Sequence, residues 1–299
     1  MNIFITLILL LSGPMFIHGK TIQVQGHRGT RGTLPENTLP AFQSAIEAGA
    51  DFLELDLLMT RDGHLVIYHD FFIHPERVCY LDGTTVSSPS PLIYSLDLAQ
   101  VKQFDCGRIA NPLFPRQKPI PGTQIPTLEE LFEMIHSLSD PHGKTISLNL
   151  EIKRDSRYPE YTPDSSVIVQ TLFALVKKQG FSDRVYYSSF DPESLIEVRA
   201  QDPHAKIAFL KEDDLVGMTN GAAFVKAESV SPEHILIRDK DHLQSLQKLG
   251  FKVILWTVND PQRWEELIDM GVDGIITDYP ADLIVFLQDR AKKFTTSTP

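Results

Sequence analysis

Residues 252–277, KVILWTVNDPQRWEELIDMGVDGIIT, contain a strand, a helix and a second strand in quick succession. The β-prone run Lys252–Val258 comes first. Pro261–Met270 then has apolar residues at helical spacing, with proline at its first position and Gly271 directly after it. Gly274–Thr277 is the second apolar run. Segments of these lengths in this order predict two parallel strands joined by a crossover helix.

The same alternation of strand and helix continues along most of the chain. Eight segments have strand character, and they are centred near residues 22, 54, 148, 186, 208, 228, 255 and 275. Most are followed by a helical segment, so the pattern predicts an α/β fold, a closed (β/α)8 TIM barrel, with a doubly wound open sheet as the alternative. The sixth strand is predicted at Val225–Val230. The first helix is predicted at Asn37–Ala48, with Asn37 or Thr38 as its N-cap.

Residues 71–126 interrupt this rhythm. They contain eight prolines and both cysteines of the chain, and no barrel unit fits them. We therefore predict a small inserted subdomain after the second strand. In an exported protein Cys79 and Cys106 could pair and close a loop of 28 residues. The alternative is two separate buried thiols.

The two ends of the chain differ from the rest. Residues 1–19 carry no Lys, Arg, Asp or Glu, and Ile3–Leu11 is apolar except for Thr6. Such a run is too short to span a bilayer, which takes roughly 20 residues, but it fits a signal peptide. We therefore predict an exported protein, periplasmic or secreted, and a cytoplasmic one if this segment is not a signal. Residues 20–292 form the predicted catalytic unit, and 293–299 a frayed tail.

Composition restricts the class of protein and of ligand. The 299 residues are 42% hydrophobic and 22% charged, as in ordinary globular proteins, which excludes disorder of the whole chain. The net charge of −11 disfavours nucleic-acid binding, because an acidic surface repels phosphate backbones. A small anionic ligand held by a local group of cations remains compatible with that charge.

Ionisable residues follow several predicted strands, at the end of a barrel that carries active sites. His27 and Arg28 stand between glycines, and we expect Gly29 and Gly32 to let the backbone approach a ligand closely. The arginine fork matches phosphate oxygens. His69, which ends another strand, supplies a second imidazole at the same mouth.

Carboxylates recur on these strands with a spacing of two. Glu54 and Asp56 point to one face of their strand, and Glu151 and Lys153 to one face of another. Neighbouring carboxylates repel each other unless one is protonated or a cation lies between them. A hard divalent cation, Ca²⁺ or Mg²⁺, suits such oxygen ligands better than zinc. The alternative is a set of salt bridges without a metal.

The last strands add two further candidates. Trp256 could form a wall of the pocket or stack on a quaternary ammonium group. Asp278 is expected to be a loop or helix-cap residue and not a ligand. Two imidazoles as acid and base, with cations to neutralise a phosphoryl group, suit the hydrolysis of a phosphodiester.

At this point the chain resembles the glycerophosphodiester phosphodiesterase family over residues 23–290. The motifs that carry the resemblance follow the order of that family. They are His27-Arg28-Gly29, Pro35-Glu36-Asn37-Thr38 after five intervening residues, Glu54-Leu55-Asp56, Thr60 to Gly63, His69-Asp70, Thr127-Leu128-Glu129-Glu130, Glu151-Ile152-Lys153, Trp256-Thr257-Val258-Asn259 and Thr277-Asp278-Tyr279-Pro280. Each motif alone is weak, but their joint order and spacing are specific.

The resemblance implies a TIM barrel with an insertion after the second strand. It implies that the metal ligands are Glu54, Asp56 and Glu151. It implies that the acid and base are His27 and His69, and that Arg28 and Lys153 contact the phosphate. The implied substrates are deacylated phospholipids such as glycerophosphocholine, which would yield glycerol 3-phosphate and an alcohol. Nothing in the sequence predicts an oligomeric state.

Three other functions fit less well. A phospholipase-D-like enzyme acting on lysolipids or sphingolipids would need an apolar entrance for an acyl chain. A glycosidase would use two of the carboxylates, but the histidines, arginine and lysine would then be superfluous. A non-catalytic surface-binding protein on the same barrel would be favoured by a decayed set of site residues, and here the set is intact.

Overall fold

A computed structural model describes residues 16–17, 20–138 and 145–296. The strands within these ranges are β1 (Phe16–Ile17), β2 (Lys20–Thr21), β3 (Gln23–His27), β4 (Phe52–Met59), β5 (Leu65–Ile67), β6 (Cys79–Tyr80), β7 (Phe104–Asp105), β8 (Ser147–Ile152), β9 (Val185–Ser189), β10 (Lys206–Lys211), β11 (Ser229–Pro232), β12 (Lys252–Leu255) and β13 (Gly274–Thr277). The α-helices are α1 (Leu39–Ala48), α2 (Leu98–Val101), α3 (Leu128–Ser137), α4 (Ser165–Lys178), α5 (Pro192–Gln201), α6 (Leu215–Phe224), α7 (Lys240–Lys248), α8 (Pro261–Met270) and α9 (Pro280–Thr296).

Eight parallel strands close into a barrel, which confirms the predicted fold class. Their order around the barrel is β3, β13, β12, β11, β10, β9, β8 and β4, and β3 pairs again with β4. In the closing pair His27 lies opposite Glu54. Strand β5 is antiparallel to β4 and lies outside the ring of eight. Closure excludes the open doubly wound sheet.

The strands present apolar side chains to the helices and polar ones to the interior. Leu53, Leu55 and Leu57 of β4 are at most 1% exposed and belong to the main hydrophobic core, which joins strands to helices. Burial of each such leucine stabilises the fold by roughly 1.5–3 kcal/mol. Because successive side chains alternate, Glu54 and Asp56 face the interior. The barrel therefore brings carboxylates together on its inner face.

Of the two predicted N-caps of helix α1, Thr38 is the one that the structure shows, and the helix begins at Leu39. The Oγ1 of Thr38 accepts a hydrogen bond from the backbone N–H of Ala41 at 3.4 Å, so Thr38 is the N-cap. Asn37 instead has a φ of 56°, in the left-handed region, and its side chain points to the barrel interior. Gly49 ends the helix with a φ of 91°, which glycine adopts without a steric penalty.

The sixth barrel strand lies later than predicted. The prediction of Val225–Val230 was wrong, because α6 continues to Phe224 and the chain then turns through Lys226, whose φ is 54°. Strand β11 begins only at Ser229. The two valines that suggested the strand are both buried, but only the second belongs to it.

Residues 71–126 contribute no strand to the barrel in the described chain. They hold the two-stranded β6–β7 sheet and the short helix α2. A second hydrophobic cluster joins this stretch to β4 and β5. Its buried members are Leu58, Val66, Ile73, Val78, Val86, Ile93, Val101, Phe104 and Ile125. That the stretch is an inserted subdomain remains a prediction.

Both cysteines are free thiols, so the alternative of two separate thiols applies. Cys79 lies opposite Asp105 in the β6–β7 pair. The Sγ of Cys79 donates to the carbonyl of Asp105 at 3.9 Å, and the Sγ of Cys106 donates to the carbonyl of Thr123 at 3.3 Å. The two thiols therefore have separate partners.

The predicted signal peptide lies largely outside the described residues, and the predicted tail lies partly outside them, so both remain predictions. Of residues 1–19 only 16 and 17 are described, as strand β1 paired with β2. At the other end α9 continues to Thr296, beyond the predicted start of the tail, and residues 297–299 are not described. No helix among the described residues is long and apolar enough to cross a membrane.

Because the two thiols are free, we predict that both react with an alkylating reagent once the protein is unfolded. Unfolded without a reductant, the purified protein should take up two iodoacetamide groups per chain, because Cys79 and Cys106 are both free. Intact-mass spectrometry measures this uptake. A parallel sample reduced before unfolding is the control and should give the same mass. Uptake of two groups only after reduction would contradict the geometry of the β6–β7 sheet.

Candidate active site

Three buried carboxylates meet at the carboxyl ends of β4 and β8. Glu54, Asp56 and Glu151 are at most 7% exposed. One carboxylate oxygen from each lies within 4.8 Å of the others. This group, called the acidic triad below, could hold a metal ion, and it contains the three residues predicted as ligands.

Two cations accompany the acidic triad. The Nζ of Lys153 lies 2.8 Å from Glu151 Oε1 and 3.4 Å from Asp56 Oδ1. The Nε of Arg28 lies 3.1 Å from Asp56 Oδ2, although its N–H is not aligned for a hydrogen bond. The backbone N–H of Arg28 donates to Glu54 Oε2 at 3.0 Å. The predicted phosphate contacts thus lie beside the predicted metal ligands.

The triad carboxyls respond differently to this environment. Burial, together with Asp56 and Glu151, raises the pKa of Glu54 well above its ordinary value. Burial also raises the pKa of Glu151, against the opposing effect of Lys153. For Asp56 burial acts in the same direction, but Arg28 and Lys153 outweigh it and hold its pKa well below the ordinary value. More positive charge is needed to ionise all three, and an oxygen-seeking divalent cation would supply it.

His27 is held by a carboxylate on the side away from the triad. Its Nδ1 lies 2.7 Å from Asp278 Oδ1, and Asn259 Nδ2 donates to the other oxygen of Asp278 at 2.7 Å. Because the Asp278 carboxylate accepts a hydrogen bond from Nδ1–H, the Nε2 is the unprotonated nitrogen of the neutral ring, and it lies 3.9 Å from Glu54 Oε2. Burial lowers the pKa of His27, and Asp278 opposes that effect.

His69, which follows β5, also has a carboxylate beside its Nδ1. Its Nδ1 lies 2.6 Å from Asp70 Oδ1. Its side chain is 33% exposed, whereas that of His27 is 11% exposed. Burial tends to raise the pKa of Asp70, but His69 and Arg77 outweigh it and lower that pKa to about 2. Both imidazoles thus have a carboxylate partner on Nδ1.

Glu36 joins three arginines beside these residues. Its Oε1 accepts from Arg28 Nη1 at 2.8 Å and from Arg77 Nη1 at 3.0 Å, and its Oε2 accepts from Arg31 Nε at 2.9 Å. Burial tends to raise the pKa of Glu36, but the arginines outweigh it and lower that pKa to about 2. Glu36 is therefore ionised and fixes the direction of the Arg28 side chain.

The glycines near His27 serve the protein and not a ligand, contrary to expectation. Gly29 has a φ of 85°, and a Cβ there would lie 2.6 Å from the carbonyl carbon of Ala41. A Cβ on Gly32 would lie 2.2 Å from the Tyr279 ring. Both glycines let the loop after β3 pack closely against α1 and against the residue that precedes α9.

The sequence missed two residues that orient the site. Asp278, predicted as a loop or cap residue, lies in a loop but holds His27. Asn37, predicted as a possible cap, donates from Nδ2 to Asp56 Oδ2 at 2.8 Å. For Asp278 the signal available was its position directly after β13, the neighbour of β3.

Trp256 lies at the same mouth, directly after β12, and is partly exposed. Its Nε1 donates to the carbonyl of Ser231 at 2.7 Å. Its ring meets that of Phe190 edge to face, with centroids 5.4 Å apart. These contacts fix the orientation of the indole and are not with the triad, and its role as a wall of the pocket stays a prediction.

A cluster of aromatic rings includes the two residues that follow Asp70 in the chain. It comprises Phe71, Phe72, Tyr158 and Tyr161 and is called the aromatic patch below. Tyr161 contacts each of the other three, at centroid distances of 5.5, 5.0 and 5.0 Å. Phe72 is 38% exposed and Tyr158 is 45% exposed. The residues of the patch follow Asp70 and Lys153 in the chain, that is, they lie in the segments after β5 and β8.

Known proteins resemble this chain in fold and in sequence. A relative from Caldanaerobacter subterraneus, a glycerophosphodiester phosphodiesterase, is 36% identical over 266 residues, which cover 89% of this chain and 97% of the relative. A solved structure from Silicibacter pomeroyi has a TM-score of 0.83 and 28% identity, covering 92% of this chain and 95% of that one. An Oleispira antarctica phosphodiesterase, solved with its product sn-glycerol-3-phosphate, has a TM-score of 0.74 and 25% identity, covering 89% and 96%.

The sequence model of one family matches almost the whole catalytic unit. It is described as the glycerophosphoryl diester phosphodiesterase family, and it matches residues 27–282, from His27 to Asp282. This range contains every residue discussed above as part of the site. The chain belongs to the glycerophosphoryl diester phosphodiesterase family and is a phosphodiesterase of that family.

Proposed function

We propose that the enzyme hydrolyses glycerophosphodiesters such as glycerophosphocholine to glycerol 3-phosphate and an alcohol, with the aid of a divalent cation and two histidines. The observation that carries this proposal is the acidic triad with His27 and His69 nearby, each imidazole held on Nδ1 by a carboxylate. The glycerol 3-phosphate bound to the Oleispira relative supports the choice of product class.

Glu54, Asp56 and Glu151 would hold the ion, and their hard oxygens favour Ca²⁺ or Mg²⁺. When bound, the ion supplies positive charge that polarises a phosphoryl oxygen. Arg28 and Lys153 line the same space and would neutralise the phosphate directly. Burial of these groups strengthens each of these contacts, because little water screens them.

The two histidines would move the protons of the reaction. The Nε2 of His27 is free of the Asp278 contact and can accept a proton from the nucleophile or return one to the leaving alcohol. His69 would take the complementary role from its own loop. An acid and a base on separate elements can act on opposite sides of one phosphorus atom.

Metal dependence is tested by removal and return of the ion. Chelation with EDTA should abolish release of glycerol 3-phosphate from glycerophosphocholine, and Mg²⁺ or Ca²⁺ should restore it. Glu151→Gln should prevent the restoration, because it removes one anionic ligand of the triad. Glu47→Gln is the matched control, since Glu47 is an exposed carboxylate on α1. Full activity in protein shown by elemental analysis to be metal-free would refute the metal role.

The roles of His27 and Asp278 give a graded prediction. His27→Ala should lower kcat by roughly 10²–10⁴-fold, the usual contribution of a general acid or base. Asp278→Asn should lower kcat by roughly 10–100-fold, because the imidazole loses the partner that fixes its tautomer. His64→Ala, at an exposed turn, should retain full turnover. Circular dichroism checks folding, and an active, folded His27→Ala enzyme would exclude the acid or base role.

The aromatic patch favours a second candidate, a phospholipase-D-like activity on lysolipids. Such an activity needs an apolar entrance for an acyl chain, and the partly exposed rings of Phe72 and Tyr158 would supply one. The same triad and histidines would cleave the phosphodiester. Both activities release the same alcohol, choline, from a choline substrate. They differ in whether the glycerol that keeps the phosphate carries an acyl chain.

A substrate comparison distinguishes these candidates. If acyl chains bind the aromatic patch, Phe72→Ala with Tyr158→Ala should lower kcat/KM for lysophosphatidylcholine at least tenfold and change that for glycerophosphocholine less than twofold. Phe224→Ala is the control, because Phe224 is 74% exposed at the carboxyl end of α6, away from the site. Equal changes for both substrates would exclude a role of the patch in acyl-chain binding.

A further inference from the structure

Arg77 connects two loops that otherwise carry separate parts of the site. Its Nη1 lies 3.0 Å from Glu36 Oε1, and its Nη2 lies 2.5 Å from Asp70 Oδ2. Glu36 belongs to the loop after β3, and Asp70 follows β5. Arg77 itself belongs to residues 71–126, outside the barrel strands. One guanidinium thus joins three segments of the chain.

Each carboxylate bound by Arg77 also holds a residue of the proposed reaction. Glu36 accepts a hydrogen bond from Arg28, the proposed phosphate contact, at 2.8 Å. Asp70 holds the Nδ1 of His69 at 2.6 Å. The path from Arg28 to His69 therefore runs through Glu36, Arg77 and Asp70 with a direct polar contact at every step.

We propose that Arg77 is a positioning residue, which sets the distance and orientation of His69 relative to the phosphate held by Arg28. It does not face the acidic triad in any described contact and acts through its two carboxylate partners. The inference rests on the proposed role of His69 as acid or base. It assigns a part in turnover to residues 71–126, a stretch without any of the predicted site residues.

An arginine suits this pair of contacts because of its planar fork. The two outer nitrogens of a guanidinium are held in one plane and can donate to two carboxylates at once. The contacts are partly buried, since the side chains of Arg77, Glu36 and Asp70 are 21%, 18% and 29% exposed. Partial burial makes these ion pairs stronger and less mobile than pairs in open solvent.

Loss of Arg77 would affect its two partners unequally. Glu36 would keep Arg28 and Arg31 as partners, so the phosphate contact would remain oriented. Asp70 would keep His69 as its described side-chain partner, and the pair would be free to turn together. The expected result is therefore a fall in kcat with little change in KM.

The experiment compares Arg77→Met with Arg61→Met in the full-length, metal-supplemented enzyme. Arg61 also joins the barrel to residues 71–126 through two hydrogen bonds, to Asp97 at 2.9 and 2.6 Å, but it is exposed and lies on the β4–β5 turn. We expect Arg77→Met to lower kcat for glycerophosphocholine about 10–100-fold and to change KM less than threefold. Arg61→Met should change neither.

A double-mutant cycle separates positioning from a general structural role. If Arg77 acts through Asp70, Arg77→Met combined with Asp70→Asn should have about the kcat of Asp70→Asn alone. Arg77→Lys, which keeps the positive charge but loses the planar fork, should recover part of the lost kcat. Circular dichroism of each variant checks folding. Wild-type kcat in Arg77→Met, or losses that multiply in the double variant, would overturn the proposal.

His69→Ala distinguishes failure of this inference from failure of the proposed function. Full turnover by folded His69→Ala would refute the proposed acid or base role and this inference with it. Loss of turnover in His69→Ala together with normal kcat in Arg77→Met would refute the inference alone.

Discussion

Three carboxylates confined to one small space are the constraint on which the rest of the site depends. Glu54, Asp56 and Glu151 lie within 4.8 Å of one another and are almost fully buried. Burial and mutual repulsion raise the pKa of Glu54 and Glu151, whereas Arg28 and Lys153 lower the pKa of Asp56. The barrel thus maintains a repulsive arrangement of carboxylates that a bound cation would relieve. The charges of such a site select its ligands: the carboxylates favour a cation, and Arg28 and Lys153 favour an anion.

The fold can maintain this arrangement because its strands separate polar from apolar side chains. The leucines of β4 pack against the helices, and the intervening carboxylates face the interior. A shift of β4 by one residue would place leucines inside and carboxylates in the core, so the register is strongly determined. Closure of the barrel between β3 and β4 then brings His27 opposite Glu54. Stability of the core and geometry of the site are therefore set by the same pairing.

The sequence allowed the barrel and the side chains of its inner face to be predicted, because strand periodicity is a local property. Glu54 with Asp56, and Glu151 with Lys153, follow from a spacing of two. The start of β11 was misplaced because a buried valine before it belongs to a turn. Asp278 could not be assigned to His27 from local pattern, since the two lie 251 residues apart and meet only when β13 closes on β3.

The residues that orient the site differ in kind from those that form it. The triad, Lys153 and His27 lie on or beside barrel strands, whose positions are fixed by ladders of backbone hydrogen bonds. Asp278, Glu36 and Asp70 lie on loops, and loops have no such ladder. Their positions must be fixed by side-chain contacts, which explains why they are joined to arginines and asparagine instead of standing alone. Because a hydrogen-bonded arginine can hold two loops at once, chain outside the barrel can govern the precision of catalysis without contributing a group that touches the substrate.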